Sequence, residues 1–473
     1  MRVFIASNYS YYMSYGGLVM KLFNFLSILI LSIFSTASFS EQQNNQVIVV
    51  GAGIAGLGAA KELHDSGYEV TVLEASERIG GRIYTDRSLG FAVERGANWI
   101  HSNKLDSNRL MVLKDHLNID TQITPLSAAA FQLFNKDGES VSLTEEEFNK
   151  IDTRIALAAY AASFFRPSST LKDVIDSLRS VGLLSFAPNV VYQAYLQNIE
   201  LSAAEDIEKL PIGALITEAE YMESAGEDEE VFGGFDQFTS YLSNGLDIRL
   251  NNPVTKIDYS SDEVNVYVKD IKYSADAVIV TVPLGVLQKG MIKFQPELTQ
   301  TKQDAINGIN WGNVNKVIFQ FPYNFWGESN NIFIEREDRH AFTTWLSNEV
   351  ISGKPILYSF YSGDFSRAME DKADEFIIEK AMNSLRSAYG QEIPDPENYL
   401  ITRWGKEPYI LGSYSSAGHN QDDEKLRTEL GSPIASKVFF AGEATSLNEY
   451  GFAHAALYTG LREAERLKTL LPK

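Results

Sequence analysis

The residues with the clearest chemical potential form a glycine-rich segment in the first quarter of the chain. Gly51-Ala52-Gly53-Ile54-Ala55-Gly56 matches the pattern G-x-G-x-x-G. In this pattern Gly51 permits a tight turn, Gly53 lets the backbone approach a pyrophosphate, and Gly56 allows a helix to pack closely on a strand. Glu74 follows downstream, where a carboxylate can accept hydrogen bonds from ribose hydroxyls. The segment therefore predicts a dinucleotide site, and on these residues alone FAD and NAD remain alternatives.

The elements that must position these glycines are a strand, a helix and a second strand. Gln46 to Val50 is a short β-branched run of the kind found in buried strands. Leu57, Ala60 and Leu63 then recur at helical spacing, and Gly67 is a helix stop signal. Glu69 to Glu74 is a second apolar strand. The order is that of a βαβ unit with a parallel sheet.

The rest of the chain alternates between helical and strand patterns. Residues 106 to 231 are mainly helical in pattern, and this stretch ends in an acidic run. Further strands are predicted at Asp247–Leu250, Glu263–Val268, Ala277–Val282, around Val317 to Phe321 and at Lys437–Phe440, with helices at Asp374–Arg386 and at the C-terminus. Because nucleotide-domain patterns occur at the start, middle and end, we expect two interleaved, discontinuous domains.

Composition narrows the function classes. The formal charge of -21 argues against nucleic acid as a partner, because phosphate binding needs concentrated Lys and Arg. Such a field would attract a cationic substrate, although solubility alone also explains it. The chain has no cysteine, which excludes disulfides, thiolate metal ligands and a flavin attached through a cysteine thioether. No metal site is expected.

The N-terminal residues predict export. Lys21 precedes the mostly apolar run Leu22–Phe34, and the small residues Ser35–Ser38 follow. This order is typical of a signal peptide, and the run is short for a membrane span. We therefore expect a secreted or periplasmic protein with no stable membrane anchor after signal removal. An uncleaved anchor is the alternative, and Met20 is a hypothetical alternative start.

A family resemblance rests on several further motifs. Glu74-Ala75-Ser76-Glu77-Arg78-Ile79-Gly80-Gly81-Arg82 resembles the second FAD motif of the flavin-containing amine oxidases. Other matches are Gly96–His101, Val231–Gly234, Thr281–Leu287, Asn315–Val317, Trp404, Gly412–Ser415 and Phe440–His454. The sequence around Trp99-Ile100-His101 and Gly412-Ser413-Tyr414 is most similar to the sequences of polyamine oxidases.

The resemblance implies an α/β fold with two domains, of the amine oxidase and p-hydroxybenzoate hydroxylase-like architecture. A Rossmann-like FAD-binding domain would comprise residues 45–105, 232–290 and 428–470. An interleaved α+β substrate-binding domain would comprise residues 106–231 and 291–427, and residues 1–40 would be an N-terminal extension with the signal peptide.

The resemblance also implies a set of cofactor contacts for non-covalent FAD. Arg82 would hold phosphate, Val254 would meet the adenine through its backbone, and Glu443 would bind hydroxyls on the ribityl or pyrophosphate side. Gly451, Phe452 and Ala453 would approach the isoalloxazine. The remaining expected contacts are Gly51, Gly53, Ala55, Gly56, Glu74, Asn98, Trp99 and Gly442.

Four catalytic positions follow from the same resemblance. Lys316 matches the lysine held near the flavin through a water, and burial there would lower its pKa. Tyr414 and Phe452 match the aromatic pair that walls the substrate path. His101 stands where some polyamine oxidases have His and others Glu, so the way in which a distal amine is anchored stays open. From pattern alone, Lys316 would be exposed and both aromatic residues would be core.

The expected reaction is oxidation of a C–N bond in an amine such as spermine or spermidine. Molecular oxygen would be the acceptor, and the products would be an aldehyde, a shorter amine and hydrogen peroxide. An L-amino acid oxidase is the alternative within enzymes, and a catalytically silent flavin-binding protein is the alternative outside them. Acidic residues at Glu218, Glu220, Glu223 and Glu227–Glu230 could funnel polyamines, but a solvated helix end or loop is the preferred interpretation.

Overall fold

The structure is a computed structural model that describes residues 45–105, 107–124, 131–213, 226–416, 423–447 and 449–472. The expected signal peptide within residues 20–40 lies outside the described residues, as do Glu218, Glu220 and Glu223.

The strands are β1 (Gln46–Val50), β2 (Glu69–Leu73), β3 (Thr85–Asp86), β4 (Val93–Glu94), β5 (Trp99–Ile100), β6 (Thr121–Thr124), β7 (Gln132–Phe134), β8 (Ser140–Val141), β9 (Asp228–Val231), β10 (Asp247–Arg249), β11 (Val254–Asp258), β12 (Val264–Val268), β13 (Ile271–Ala275), β14 (Ala277–Val280), β15 (Lys293–Gln295), β16 (Asn310–Trp311), β17 (Val314–Gln320), β18 (Asn331–Ile334), β19 (Thr344–Ser347), β20 (Ile356–Ser362), β21 (Asn398–Ile401), β22 (Ser415–Ser416) and β23 (Val438–Phe440).

The α-helices are α1 (Ile54–Asp65), α2 (Arg109–Leu117), α3 (Glu145–Phe165), α4 (Leu171–Ser180), α5 (Asn189–Ala203), α6 (Asp236–Ser243), α7 (Leu284–Gln288), α8 (Gln300–Gly308), α9 (Glu349–Ser352), α10 (Gly363–Met369), α11 (Asp374–Tyr389), α12 (Asp423–Leu430) and α13 (Ala453–Leu470). Short 3-10 turns lie at Ile207–Lys209, Trp404–Lys406 and Glu443–Thr445. Among the residues described, no helix has both the length and the apolar character needed to cross a membrane.

A five-stranded parallel sheet carries the glycine turn. Its order is β10-β2-β1-β14-β23, so segments distant in sequence lie side by side. β1 and β14 are buried on both faces, which explains their near-continuous runs of Val and Ile. Helices α1 and α13 share one apolar core with this sheet. The predicted βαβ unit with a parallel sheet is confirmed.

A seven-stranded sheet forms the other large layer, in the order β21-β17-β20-β19-β18-β7-β8. Most of its neighbouring strands are antiparallel, and β17 lies between β20 and β21. Helices α3, α4 and α5 build a separate apolar core that also includes Leu133 and Phe333. This sheet positions Lys316, which lies on β17.

Residues Asp228 to Glu230 of the acidic run lie in a strand, which corrects for them the interpretation of a solvated helix end or loop. β9 is the middle strand of a three-stranded sheet, between β5 and β6. Glu229 and Glu230 are buried, and Glu227 is exposed. The acidic composition alone predicts that these residues are exposed to solvent, but the carboxylates of Glu229 and Glu230 have hydrogen-bond donors inside the fold.

Candidate active site

The glycine turn joins β1 to α1, and each glycine meets a different requirement. Gly51 has a φ of 106°, a conformation that favours glycine. A Cβ on Gly56 would lie 2.0 Å from the carbonyl oxygen of Gly51, so α1 could not pack on the turn. A Cβ on Gly53 would meet no atom of the described residues within 4 Å. The space beside Gly53 is therefore open at the N-terminus of α1, where unpaired N–H groups favour an anion.

The backbone of Ala55 lies at the junction of two helices. A Cβ on Gly460 of α13 would lie 2.0 Å from the Ala55 carbonyl oxygen, so glycine at that position permits the close approach. The first turn of α1 is thus tied to the C-terminal helix rather than only to the sheet.

Glu74 lies directly beside the turn. Its carboxylate accepts hydrogen bonds from the backbone N–H of Ala52 at 2.6 Å and from the N–H and hydroxyl of Ser76 at 2.8 and 2.7 Å. The carbonyl oxygen of Glu74 accepts from Asn252 at 2.8 Å. This bond places the segment leading into β11, which begins at Val254, next to Glu74. The two predicted positions on the adenosine side are therefore neighbours.

Arg82 and Glu443 form an ion pair that connects the first motif with the last. Nη1 of Arg82 donates to Oε1 of Glu443 at 2.8 Å and to the carbonyl oxygen of Ser413 at 2.8 Å. The carboxylate of Glu443 also accepts from the hydroxyl of Ser415 at 2.6 Å and from the N–H of Gly451 at 2.8 Å. Burial would raise the pKa of Glu443, but the charge of Arg82 and these hydrogen bonds outweigh it and hold the pKa below its ordinary value.

The Glu443 carboxylate thereby holds a neighbour of each predicted aromatic wall. Ser415 follows Tyr414, and Gly451 precedes Phe452. Gly442, just before Glu443, has a φ of 125°, and in the described part of the chain a Cβ there would meet no atom within 4 Å. A crevice at the carboxyl ends of β14 and β23 is lined by Arg82, Gly442 and Glu443. Ligands of open α/β sheets bind at this edge.

Lys316 is buried, so the exposed position expected from pattern alone is wrong. Its Nζ donates to the carbonyl oxygens of Glu94 at 3.0 Å and Gly96 at 2.6 Å, and to Oδ1 of Asn98. Burial lowers the pKa of Lys316 to about 7, against the opposing charges of Glu94 and Glu230. The amine can therefore gain or lose a proton near neutral pH.

Asn98 and Trp99 differ in whether their side chains have hydrogen-bond partners among the described residues. The Asn98 side chain is engaged by Lys316 and by the hydroxyl of Tyr358, to which Nδ2 donates at 3.1 Å. The indole Nε1 of Trp99 is buried without a hydrogen-bond partner among the described residues. Buried donors are normally paired, so Trp99 offers a donor to a bound group.

Phe452, one of the two predicted aromatic walls, packs against two histidine rings. The rings of His101 and Phe452 lie 4.5 Å apart between centroids, and Phe452 stacks on His454 at 5.4 Å. The Tyr414 hydroxyl donates to the carbonyl oxygen of Leu201. Phe452 caps the N-terminus of α13, so Ala453 is its first residue.

His101 has a charged partner that the sequence did not reveal. Its Nδ1 lies 2.9 Å from Oδ1 of Asp228 on β9. Because a carboxylate only accepts hydrogen bonds, Nδ1 carries the proton in this pair and Nε2 is left as an acceptor when the ring is neutral. The pair therefore offers a hydrogen-bond acceptor backed by a negative charge.

For several other residues, sequence reasoning assigned no contact within the site, although Asp228 and Glu230 stood in the acidic run and Ser415 in a matched motif. They are Glu94, Asp228, Glu230, Tyr358, Ser415 and Arg427, which donates to the Ser415 hydroxyl at 2.9 Å. The alternation of Asp228 and Glu230 along a strand was the one available signal, and the high acidity of the run hid it.

Comparisons with known proteins place this geometry in a family context. The family model described as flavin containing amine oxidoreductase matches residues 54–468. A probable polyamine oxidase of Arabidopsis thaliana is 33% identical over 90% of this chain and 88% of its own length. Human lysine-specific histone demethylase 2 is 31% identical over 90% of this chain, and the chain spans only 54% of that protein.

A solved structure of putrescine oxidase bound to putrescine has the same fold. Its TM-score is 0.72 at 21% identity, and the match covers 90% of this chain and 99% of the other. This likeness confirms the predicted two-domain architecture class.

Proposed function

The chain belongs to the family of flavin-containing amine oxidoreductases, and we propose that it is an FAD-dependent polyamine oxidase. It acts on an amine donor with a flavin as its cofactor. The finer proposal is that the donor is of the spermine or spermidine type, that oxygen is the acceptor, and that an aldehyde, a shorter amine and hydrogen peroxide are released.

The residues of the site fit a bound flavin dinucleotide. The open space beside Gly53 and Gly442 suits close approach of phosphate oxygens to the backbone. Glu74 lies where ribose hydroxyls would follow, and Trp99 has an unused buried donor. The absence of cysteine leaves no thioether attachment. When bound, the flavin supplies the two-electron redox chemistry.

The protein's own part is to bind and orient the amine and to remove its hydration shell. Tyr414 and Phe452 are held through their neighbours by Glu443. Their rings exclude water and attract a cation through their faces. Lys316 Nζ can hold or release a proton near neutral pH. In its neutral form the nitrogen lone pair can accept a hydrogen bond from a water, which suits hydrolysis of the oxidised amine.

The observation that carries the polyamine proposal is the pair of His101 and Asp228. The imidazole lies against Phe452, and the carboxylate lies behind it at 2.9 Å from Nδ1. A polyamine carries a second ammonium beyond the reacting nitrogen, and this pair gives it a charged hydrogen-bond acceptor. Monoamines have no group for that position.

The direct test is hydrogen peroxide release from the purified protein. The kcat/KM for spermine, spermidine and their acetylated forms should be higher than the kcat/KM for monoamines and L-amino acids. Preference for L-amino acids would replace the proposal with an amino acid oxidase. Absence of turnover with every amine, in protein that holds flavin, would favour a silent flavin-binding protein.

Asp228→Asn should raise KM for spermidine about tenfold or more, because hydrogen bonds to charged groups contribute about 1.5–3 kcal/mol. The KM for a monoamine should change little. Glu227→Gln is the matched control, since it removes the same charge from an exposed neighbour of Asp228. Steady-state kinetics on both substrates checks this, and equal effects of the two variants would point to a long-range field instead of the pair.

We further propose that the protein is exported. Lys21, the apolar run Leu22–Phe34 and the small residues after it support this. N-terminal sequencing of the mature protein should begin downstream of this run, and an intact N-terminus would refute cleavage.

A further inference from the structure

The short strand β9 presents its acidic side chains to two different surroundings. Asp228 and Glu230 share one face, because side chains alternate along a strand. Glu229 points to the other face, where it accepts hydrogen bonds from Lys114 and Thr121 at 2.9 and 2.6 Å. Trp99 of β5 is paired with Glu230 across the sheet. The face with Asp228 and Glu230 is therefore the face of the candidate active site.

A chain of hydrogen bonds leads from Glu230 to Lys316. The Tyr358 hydroxyl donates to Oε1 of Glu230 at 2.8 Å. The same hydroxyl accepts from Nδ2 of Asn98 at 3.1 Å, and Oδ1 of Asn98 accepts from Nζ of Lys316. Every bond runs in the same direction, from the ammonium to the carboxylate, so the donors and acceptors are mutually consistent.

All four members of this chain are buried. Tyr358 is 3% exposed and Glu230 is 6% exposed, while Lys316 and Asn98 are 4% and 7% exposed. A buried carboxylate is costly unless a positive charge compensates it. Within the described residues, Lys316 is the cation whose charge acts on Glu230.

We propose that Glu230 is a positioning residue that stabilises the ammonium form of Lys316 through Tyr358 and Asn98. Its importance for turnover rests on the proposed function, because the catalytic role of Lys316 belongs to that proposal. The link between the two side chains rests on the geometry alone.

The groups around Lys316 are compatible with this role. Among the described residues, the carboxyls whose charges act on its Nζ are those of Glu94, on β4, and Glu230. The rings of Tyr358 and Phe360 on β20 lie 5.9 and 5.0 Å from Nζ. Three acceptors surround Nζ, as an ammonium requires and a neutral amine does not.

Glu94 and Glu230 accept hydrogen bonds from different donors, but both act on Lys316. Glu94 accepts hydrogen bonds from the Thr85 hydroxyl at 2.8 Å and from the Phe235 N–H at 2.7 Å. Burial raises the pKa of Glu94 to about 7. The charge of Lys316 opposes this rise, and the charge of Asp236 adds to it. Burial also raises the pKa of Glu230, against the Tyr358 hydrogen bond and the charge of Lys316. One ammonium faces two carboxyls, so removal of either carboxylate must change the proton affinity of Nζ.

The test is a pH titration of Lys316 in the flavin-loaded protein. The 13Cε resonance of Lys316 in protein labelled at lysine is assigned by its loss in Lys316→Met. Glu230→Gln should make Nζ more acidic, increasing its dissociation constant about tenfold, since an opposite charge is lost. Tyr358→Phe should act in the same direction, because Glu230 loses the donor that supports its ionised form.

Glu229→Gln is the matched control, as its carboxylate is equally buried on the same strand but faces Lys114. It should leave the titration midpoint of Lys316 unchanged. An unchanged midpoint in both Glu230→Gln and Tyr358→Phe, or an equal change in Glu229→Gln, would overturn the inference. This resonance reports the proton on Lys316 whatever the substrate is, so a failed polyamine assay would not affect it.

Discussion

Lys316→Met is expected to reduce kcat for the preferred polyamine by about 10²- to 10⁴-fold, the range typical of a lost proton-transfer group. Met retains much of the side-chain volume but cannot donate to Glu94, Gly96 or Asn98, nor exchange a proton. KM should change less than kcat, because Lys316 is buried and its Nζ is held by acceptors of the protein itself. Steady-state kinetics with a bound-flavin absorbance check measures both effects.

The pKa of Lys316 predicts how the turnover rate should change with pH. Burial lowers the pKa of Lys316 to about 7, so the neutral amine becomes the larger fraction as the pH rises above that value. If neutral Nζ takes a proton during turnover, the wild-type rate should rise with pH through this range. The Met variant should lack that limb, and a profile identical to wild type would clear Lys316 of a proton-transfer role.

Lys302→Met provides a matched control for burial. Lys302 is also buried, and its Nζ donates to the backbone carbonyl oxygens of Leu430 and Ser432 at 3.2 and 2.7 Å. Burial likewise lowers its pKa, to about 8. This variant should lose stability, seen as a lower Tm, without a comparable loss of kcat. A similar loss of kcat in both variants would mean that the effect of Lys316→Met is structural.

Gly53→Ala is expected to weaken flavin binding about 10- to 100-fold while leaving the fold intact, since forcing an extra methyl into a filled site costs about 1–3 kcal/mol. Gly53 has φ -71° and ψ 171°, a conformation open to any residue. A Cβ there meets no atom within 4 Å among the residues that the structure describes. It would occupy the space that the backbone otherwise leaves for phosphate oxygens.

Gly56→Ala should have the opposite profile. Its Cβ would lie 2.0 Å from the Gly51 carbonyl oxygen, so the turn and α1 must separate and Tm must fall. Flavin retention after gel filtration and Tm together distinguish the two variants. Gly53→Ala that retains flavin as wild type does would show that the space beside Gly53 is not used.

The sequence predicted those parts of the site whose chemistry is local. The strand, turn and helix from Gln46 to Asp65 follow from β-branched residues, glycine spacing and helical periodicity within one short stretch. The burial of Lys316 followed only from the family resemblance, because a lysine on a strand carries no local sign of enclosure.

The residues that sequence reasoning missed depend on pairing between distant segments. Glu230 and Asp228 are acidic neighbours that composition assigns to solvent, and only the position of β9 between β5 and β6 explains their burial. Tyr358 lies on β20, which is remote in sequence from Asn98 and Glu230. No local pattern indicates that these three side chains meet.

The ion pair between Arg82 and Glu443 has a consequence for biosynthesis. A nascent chain that has emerged only as far as Ser436 contains the glycine turn but lacks β23, the outer strand of the parallel sheet, and also Glu443. It equally lacks α13, whose Gly460 packs on Ala55. The cofactor cleft therefore cannot be completed until β23, Glu443 and Gly460 have emerged, and productive loading must wait for these late segments.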